Sequence, residues 1–186
     1  MKKINELAGG ELVWVQPARL KQEFELHAGD EVIATLRWQR SSLAIAETAE
    51  QSWTIKREGF WHPRITIRIP GSDDSIATFQ PGWAGGGTLD LGLGKQLRFG
   101  APNFWRSQWD WLDPQNQPLV HFKSHQGLLK VEGEVAIEPA AIKSPDMPLL
   151  VVLGWYLLVP ADATKVDTLL LFARDAGDSL EDVSAA

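Results

Sequence analysis

The sequence predicts a mainly β protein, a closed antiparallel β-barrel around a buried hydrophobic helix near the C-terminus. The first observation is the stretch PLLVVLGWYLLV, Pro148–Val159, which carries no charge. The second is that short strand-like segments separated by turn residues fill most of the chain before it, without the strand–helix rhythm of a parallel sheet. A helix that is apolar all round must be buried all round. A sheet that wraps around a helix is a barrel.

The uncharged run itself could be a membrane span, a buried strand or a buried helix. A span needs about 20 apolar residues, and this run is shorter than that. Length and flanks must separate helix from strand. Ser144 can cap free N–H groups, Pro145 suits the first helical position and Asp146 faces the positive end of the helix dipole. Pro160 cannot continue a helix. We therefore predict a helix over about Pro145–Val159.

The strand signals are short segments in which apolar and polar residues alternate. The clearest alternation places Ile65, Ile67 and Ile69 on one face, opposite Arg64 and Arg68. The predicted strands are, in chain order, Glu11–Val15, Leu20–Leu26, Glu31–Trp38, Leu43–Glu47, Ser52–Arg57, Arg64–Ile69, Ile76–Phe79, Leu89–Leu93, Gln96–Phe99, Trp109–Leu112, Leu119–Ser124 and Leu128–Ile137.

The chain of 186 residues fits one domain with a tail. We predict a barrel domain over residues 1–174, with its central helix near 145–159, and an acidic flexible tail over residues 175–186. An apolar stripe also predicts a short helix over Thr164–Ala173.

Charge and composition exclude several functional classes. The net charge is −6, and residues 161–186 contribute six acidic and two basic side chains. The rest of the chain is therefore nearly neutral, which argues against nucleic-acid binding. Cysteine is absent, which excludes a disulfide framework, a thiolate nucleophile and a zinc ribbon. The first residues lack the apolar core of a signal peptide. These features predict a cytoplasmic protein that is not an integral membrane protein.

Two sequence patterns suggest a phosphate-binding loop and a metal site, but neither has the residues or the spacing that such a site requires. The glycine-rich stretch Gly85–Gly100 is not a phosphate loop, because Gln96 follows Gly94-Lys95 where Ser or Thr is required. His121 and His125 would lie about 13 Å apart on one strand face, too far to share a metal unless the strand bends. We therefore predict no catalytic residue, no metal site and no cofactor.

Nine tryptophans are the most unusual feature of the composition. Trp105, Trp109 and Trp111 could edge a ligand pocket, since pockets are rich in aromatic side chains. The plainer interpretation is that Trp109 and Trp111 are core residues beneath an exposed Asp110.

Four basic residues form the second candidate site. Arg64 and Arg68 share a strand face, and Lys56 and Arg57 come from a nearby strand. Such a group could hold a phosphorylated lipid headgroup by charge-assisted hydrogen bonds. It could equally be the solvated face of a sheet.

The stretches LDLGLGKQLRFGAPNFWRSQWDWLDPQNQPLVHFK, Leu89–Lys123, and PLLVVLGWYLLVP, Pro148–Pro160, resemble the tubby C-terminal-like superfamily. That superfamily includes the phospholipid scramblases and the LURP-one-related proteins. The resemblance implies a closed barrel of about twelve strands threaded by a hydrophobic helix, in a bacterial member of unassigned function. It does not by itself imply a function, because the fold serves unrelated roles.

The leading functional hypothesis is a non-enzymatic cytoplasmic barrel that binds a lipid headgroup, a small apolar ligand or a protein partner. One alternative is an enzyme whose site is built from loops at the barrel mouth. Another is a lipocalin-like ligand carrier, which is disfavoured because a lipocalin helix packs outside its barrel and is amphipathic.

Overall fold

Antiparallel strands close into a barrel around one hydrophobic helix. The structure, a computed structural model, describes residues 1–7, 9–18, 21–59, 61–82, 85–102, 108–126 and 131–159. Its elements are α1 (Ile4–Leu7), β1 (Leu12–Val15), β2 (Glu23–Ala28), β3 (Glu31–Arg40), β4 (Leu43–Thr48), β5 (Ser52–Glu58), β6 (Arg64–Arg68), β7 (Ser75–Pro81), β8 (Gly87–Asp90), β9 (Gln96–Gly100), β10 (Gln108–Leu112), β11 (Pro118–Gln126), β12 (Val131–Ile137) and α2 (Met147–Leu158).

The topology is the simplest that a closed barrel allows. Each strand pairs antiparallel with its neighbours in sequence, and β1 closes the barrel by pairing with β12, with Leu12 opposite Val135. Closure removes the unpaired edges that an open sheet would expose. The predicted fold class, a closed antiparallel barrel of twelve strands around a C-terminal helix, is confirmed.

Helix α2 lies inside the barrel, with every residue from Met147 to Tyr156 buried. An uncharged run can be enclosed as a helix because a helix satisfies most of its backbone hydrogen bonds internally. A buried hydrogen bond also joins helix and wall: the indole Nε1–H of Trp111 in β10 donates to the carbonyl of Leu150 over 2.8 Å.

The helix begins two residues later than predicted, at Met147. Ser144 does not cap it. Its backbone belongs to the preceding turn, where its N–H donates to Ala141 at 2.9 Å, and its hydroxyl accepts from the N–H of Asp146 at 3.4 Å. Asp146 occupies the N-cap position without a side-chain capping bond. The proline in the first turn of the helix is Pro148, so Pro145 precedes the helix.

The two ends of the barrel differ. At one end α1 contacts α2, and the backbone N–H of Ile4 donates to Glu50 in the β4–β5 turn at 3.0 Å. Lys95 in the β8–β9 turn pairs with Asp146 at the start of α2. The other end holds the last turn of α2 and the β3–β4 turn at Ser41. We call this second end the mouth.

One predicted strand needs correction, and several other predictions involve residues outside the described part of the chain. β8 ends at Asp90, not at Leu93. Leu93 lies in a turn between two glycines, where its own φ is 52° and its side chain is fully exposed. Leu20 and residues 128–130 lie outside the described residues. So do the predicted helix Thr164–Ala173 and the predicted tail 175–186, and the boundary of the barrel domain at residue 174 stays a prediction.

Glycine allows a close approach between the wall and the helix. The rings of Trp14 and Trp155 stack in the core with centroids 5.8 Å apart. Trp155 also packs on Gly133 in β12, where an added Cβ would lie 2.3 Å from its Cζ3 atom. This ring cannot move aside easily, because Trp155 is fully buried.

We expect Gly133→Ala to destabilise the protein by about 1–3 kcal/mol, the usual cost of overpacking a core. Gly100→Ala is the matched control, since a Cβ there meets nothing within 4 Å. The urea concentrations at the unfolding midpoints of the two variants show which substitution destabilises the protein more. Equal midpoints would show that the wall is not pressed against α2 at Gly133.

Candidate functional site

The mouth holds a cavity of about 550 Å³. Its floor is the end of α2, and its sides are the ends of strands and the loops between them. We call it the mouth cavity. The described residues that line it are Trp38, Ser41, Arg57, Ile65, Phe79, Pro81, Gly82, Gly85, Gly86, Phe99, Trp109, Tyr156, Leu157, Leu158 and Val159.

Aromatic rings dominate this lining and are held in pairs. Trp38 at the end of β3 stacks on Tyr156 of α2, with centroids 5.4 Å apart and planes 7° apart. Phe99 at the end of β9 stacks on Trp109 at the start of β10, with centroids 5.3 Å apart. Stacked pairs hold each other's orientation. The cavity therefore presents fixed apolar ring surfaces.

The tryptophans of the predicted pocket do not all lie in one site. Trp109 lines the mouth cavity, whereas Trp111 is fully buried below it and contacts Phe99 with centroids 4.8 Å apart. Trp105 lies outside the described residues. Sequence reasoning missed Tyr156 as a lining residue, although its hydroxyl is the one side-chain oxygen in the uncharged run and could have been a signal.

The four basic residues of the second candidate site do not act as one patch. Lys56, Arg64 and Arg68 surround the carboxylate of Glu58 on the outer wall, at 3.2, 3.6 and 3.6 Å. The hydrogen bond from Lys56, together with the charges of all three, lowers the pKa of Glu58. Since these cations share one carboxylate, their charge is partly neutralised.

Arg57 lies apart from the other three. Side chains alternate along β5, so Arg57 turns away from Lys56 and Glu58 and lines the mouth cavity. It pairs in register with Ile65, which also lines the cavity. Headgroup binding by Lys56, Arg64 and Arg68 stays a prediction, which co-sedimentation with anionic vesicles can test.

Arg57 and Tyr156 give the mouth cavity its polar character. Burial raises the pKa of Tyr156 to about 12, although the charge of Arg57 acts in the opposite direction. The phenol therefore keeps its proton at neutral pH and can donate a hydrogen bond. A guanidinium is always charged and donates only. Both groups offer hydrogen-bond donors to whatever enters.

A second polar cluster lies on the outer wall, and sequence reasoning missed it. Asp110 was expected to be exposed if its neighbouring tryptophans fill the core, but it is only 8% exposed. His121 covers it, with Nδ1 2.9 Å from Asp110 Oδ1, and bonds through Nε2 to Glu138 Oε1 at 2.8 Å. The strand register that pairs Asp110 with His121 created this contact, and no sequence spacing reveals it.

The cluster holds a charged imidazole more readily than a metal. Burial acts to lower the pKa of His121, but the hydrogen bonds and charges of Glu138 and Asp110 outweigh it, so the pKa is raised. The two carboxylates bind opposite ring nitrogens and therefore do not converge on one point. Across the described residues no group of three or more His, Asp or Glu side chains could hold a metal.

The raised pKa predicts a pH-dependent contribution to stability. It is fully present below the unfolded pKa of about 6.5 and is lost as pH rises through the folded-state pKa. His121→Gln should therefore lose more stability at about pH 6 than at about pH 9, by less than about 1 kcal/mol because the group is partly exposed. Urea unfolding at both pH values measures this, with the exposed His62→Gln as control. An equal loss at both pH values contradicts the charged cluster.

Comparison with known proteins gives no relative to guide the assignment. Neither the protein-family models, nor the curated proteins, nor the solved structures compared with this chain contain a match. In the described part of the chain, no helix has the length and apolar character needed to cross a membrane. The resemblance to tubby-like proteins stays a prediction.

Proposed function

We propose that the protein is a non-enzymatic cytoplasmic binding barrel that holds a small apolar ligand in the mouth cavity. The observation that supports this most is the lining: the rings of Trp38, Phe79, Phe99, Trp109 and Tyr156 face one cavity. Ligand sites are typically concave, apolar and rich in aromatic side chains, with about 300–1,000 Å³ of volume. The mouth cavity, at about 550 Å³, lies within that range.

The helix determines how deep such a ligand can go. Leu157, Leu158 and Val159 end α2 within the cavity and form its floor, while the residues before them fill the barrel. A ligand is therefore confined to the mouth and cannot enter the lumen. This argues against a lipocalin-like carrier, in which an open calyx holds the ligand inside the barrel.

The polar groups of the lining support binding over acid–base catalysis. General acids and bases work best when their pKa lies near the operating pH. Tyr156, with a pKa raised to about 12, and Arg57 both keep their protons at neutral pH. As hydrogen-bond donors they can orient a ligand. The enzyme alternative would need a proton-exchanging group that the described lining does not provide.

Binding can be tested with N-phenyl-1-naphthylamine, a neutral apolar probe that fluoresces more strongly in apolar surroundings. We expect saturable enhancement with the wild-type protein. Ser41 is exposed at the cavity, so Ser41→Trp should occupy the space and weaken binding at least about tenfold, a loss of about 1.4 kcal/mol.

The matched control is Ser72→Trp, which adds the same side chain to the exposed β6–β7 turn at the opposite end of the barrel. It should bind the probe as the wild type does. If the wild type gives no saturable signal, or if Ser41→Trp binds as well as the control, the mouth cavity is not a ligand site.

A further inference from the structure

Arg57 is the one charged side chain among the described residues that line the mouth cavity. Within the described ranges its guanidinium makes no hydrogen bond or ion pair. Its neighbours on the outer wall differ: Lys56, Arg64 and Arg68 each pair with Glu58. On these two strands, the three outward cations share one carboxylate, whereas the cation that lines the cavity is open to a ligand.

A second donor lies in the same cavity. The hydroxyl of Tyr156 makes no hydrogen bond to the described residues, and its ring is held by stacking on Trp38 at 5.4 Å. A phenol O–H and a guanidinium can both donate to one negatively charged oxygen group, and charge-assisted bonds of this kind are about twice as strong as neutral ones. Among the described residues, the rest of the lining is apolar apart from backbone groups and Ser41.

We propose that the ligand of the mouth cavity is an amphipathic anion, an apolar body that packs on the aromatic rings and a single anionic group bound by Arg57 and Tyr156. This inference rests on the proposed function, because it names the class of ligand for the same cavity. A carboxylate, sulfate or phosphate ester on an apolar chain has the required chemistry. An apolar cation is excluded, since it would meet the guanidinium with like charge.

The experiment compares two probes that differ only in charge. Decanoate and decan-1-ol have the same apolar chain, and each is used to displace N-phenyl-1-naphthylamine from the protein at neutral pH. We expect the wild type to bind decanoate at least about tenfold more tightly than decan-1-ol, as a charge-assisted bond allows. Raising the salt concentration should reduce that preference, because Arg57 is exposed.

Two variants assign the preference to Arg57. Arg57→Met keeps an unbranched apolar side chain and removes the charge, so it should weaken decanoate binding much more than decan-1-ol binding and thereby abolish the preference for decanoate. Arg64→Met removes the same charge from the adjacent strand on the outer wall and should keep the preference.

The outcomes separate the two proposals. If the dye gives no saturable signal with the wild type, mouth binding itself fails. If the dye binds but neither decyl probe displaces it, mouth binding stands and the amphipathic-anion class is wrong. If both bind equally, mouth binding stands and the anionic class is wrong. If Arg64→Met loses the preference as fully as Arg57→Met does, the selectivity comes from general surface charge, and the assignment to Arg57 and Tyr156 is overturned.

Discussion

The structure depends on enclosing an uncharged helix. From Met147 to Tyr156, α2 has no side to turn toward water, so the wall must surround it completely. A helix with its side chains is about 10–12 Å across. A barrel of about eight strands is only wide enough for side chains to fill. The twelve strands observed here are thus the consequence of placing a helix, and not side chains alone, in the lumen.

The same constraint shapes the mouth. The end of α2 and the neighbouring strand ends and loops together line the mouth cavity, to which Leu157, Leu158 and Val159 contribute. The N–H of Val159 still donates to the carbonyl of Trp155 at 3.0 Å, so the helix ends without an unpaired donor at that point. The ring of Trp38 stacks on Tyr156 near the end of the helix. The site at this end therefore uses the end of the enclosed helix as part of its lining.

The spacing of apolar residues and the composition made the fold predictable. The residues that meet in the candidate sites could not be predicted, because their contacts depend on strand register. The alternation at Ile65 and Ile67 and the uncharged run both consist mostly of apolar residues that are buried in the structure. Strand β6 and helix α2 could therefore be predicted from local sequence. The contact of His121 with Asp110 depends on the alignment of two strands, which no local pattern specifies. Arg57 was grouped with Lys56 because both are basic, although alternation along β5 sends them to opposite faces.

The turn at Leu93 shows a different limit. Leucine favours strands or helices by its apolar side chain, and the neighbouring apolar residues extended the predicted strand through it. The glycines on both sides instead set a turn, and Leu93 adopts the positive φ that few side chains tolerate. Local backbone geometry overrode hydrophobicity there. At Ser144 it overrode a capping preference, because the residue predicted to cap α2 belongs to the turn before the helix.

The most direct test of the enclosed helix is aspartate substitution at each of Leu150, Val151, Val152 and Leu153. Successive helix residues point about 100° apart, so these four sites sample every direction around α2. Burying a carboxylate without a partner costs several kcal/mol, a large part of a typical stability of about 5–15 kcal/mol. The control is Ile69→Asp, at a residue that is 43% exposed.

Soluble yield and urea midpoints decide the outcome. The enclosed helix predicts that all four variants unfold or aggregate while the control stays folded. A surface helix would accept aspartate at one of the four sites with less than about 1 kcal/mol of loss. One well-folded variant among the four would contradict the structure described here.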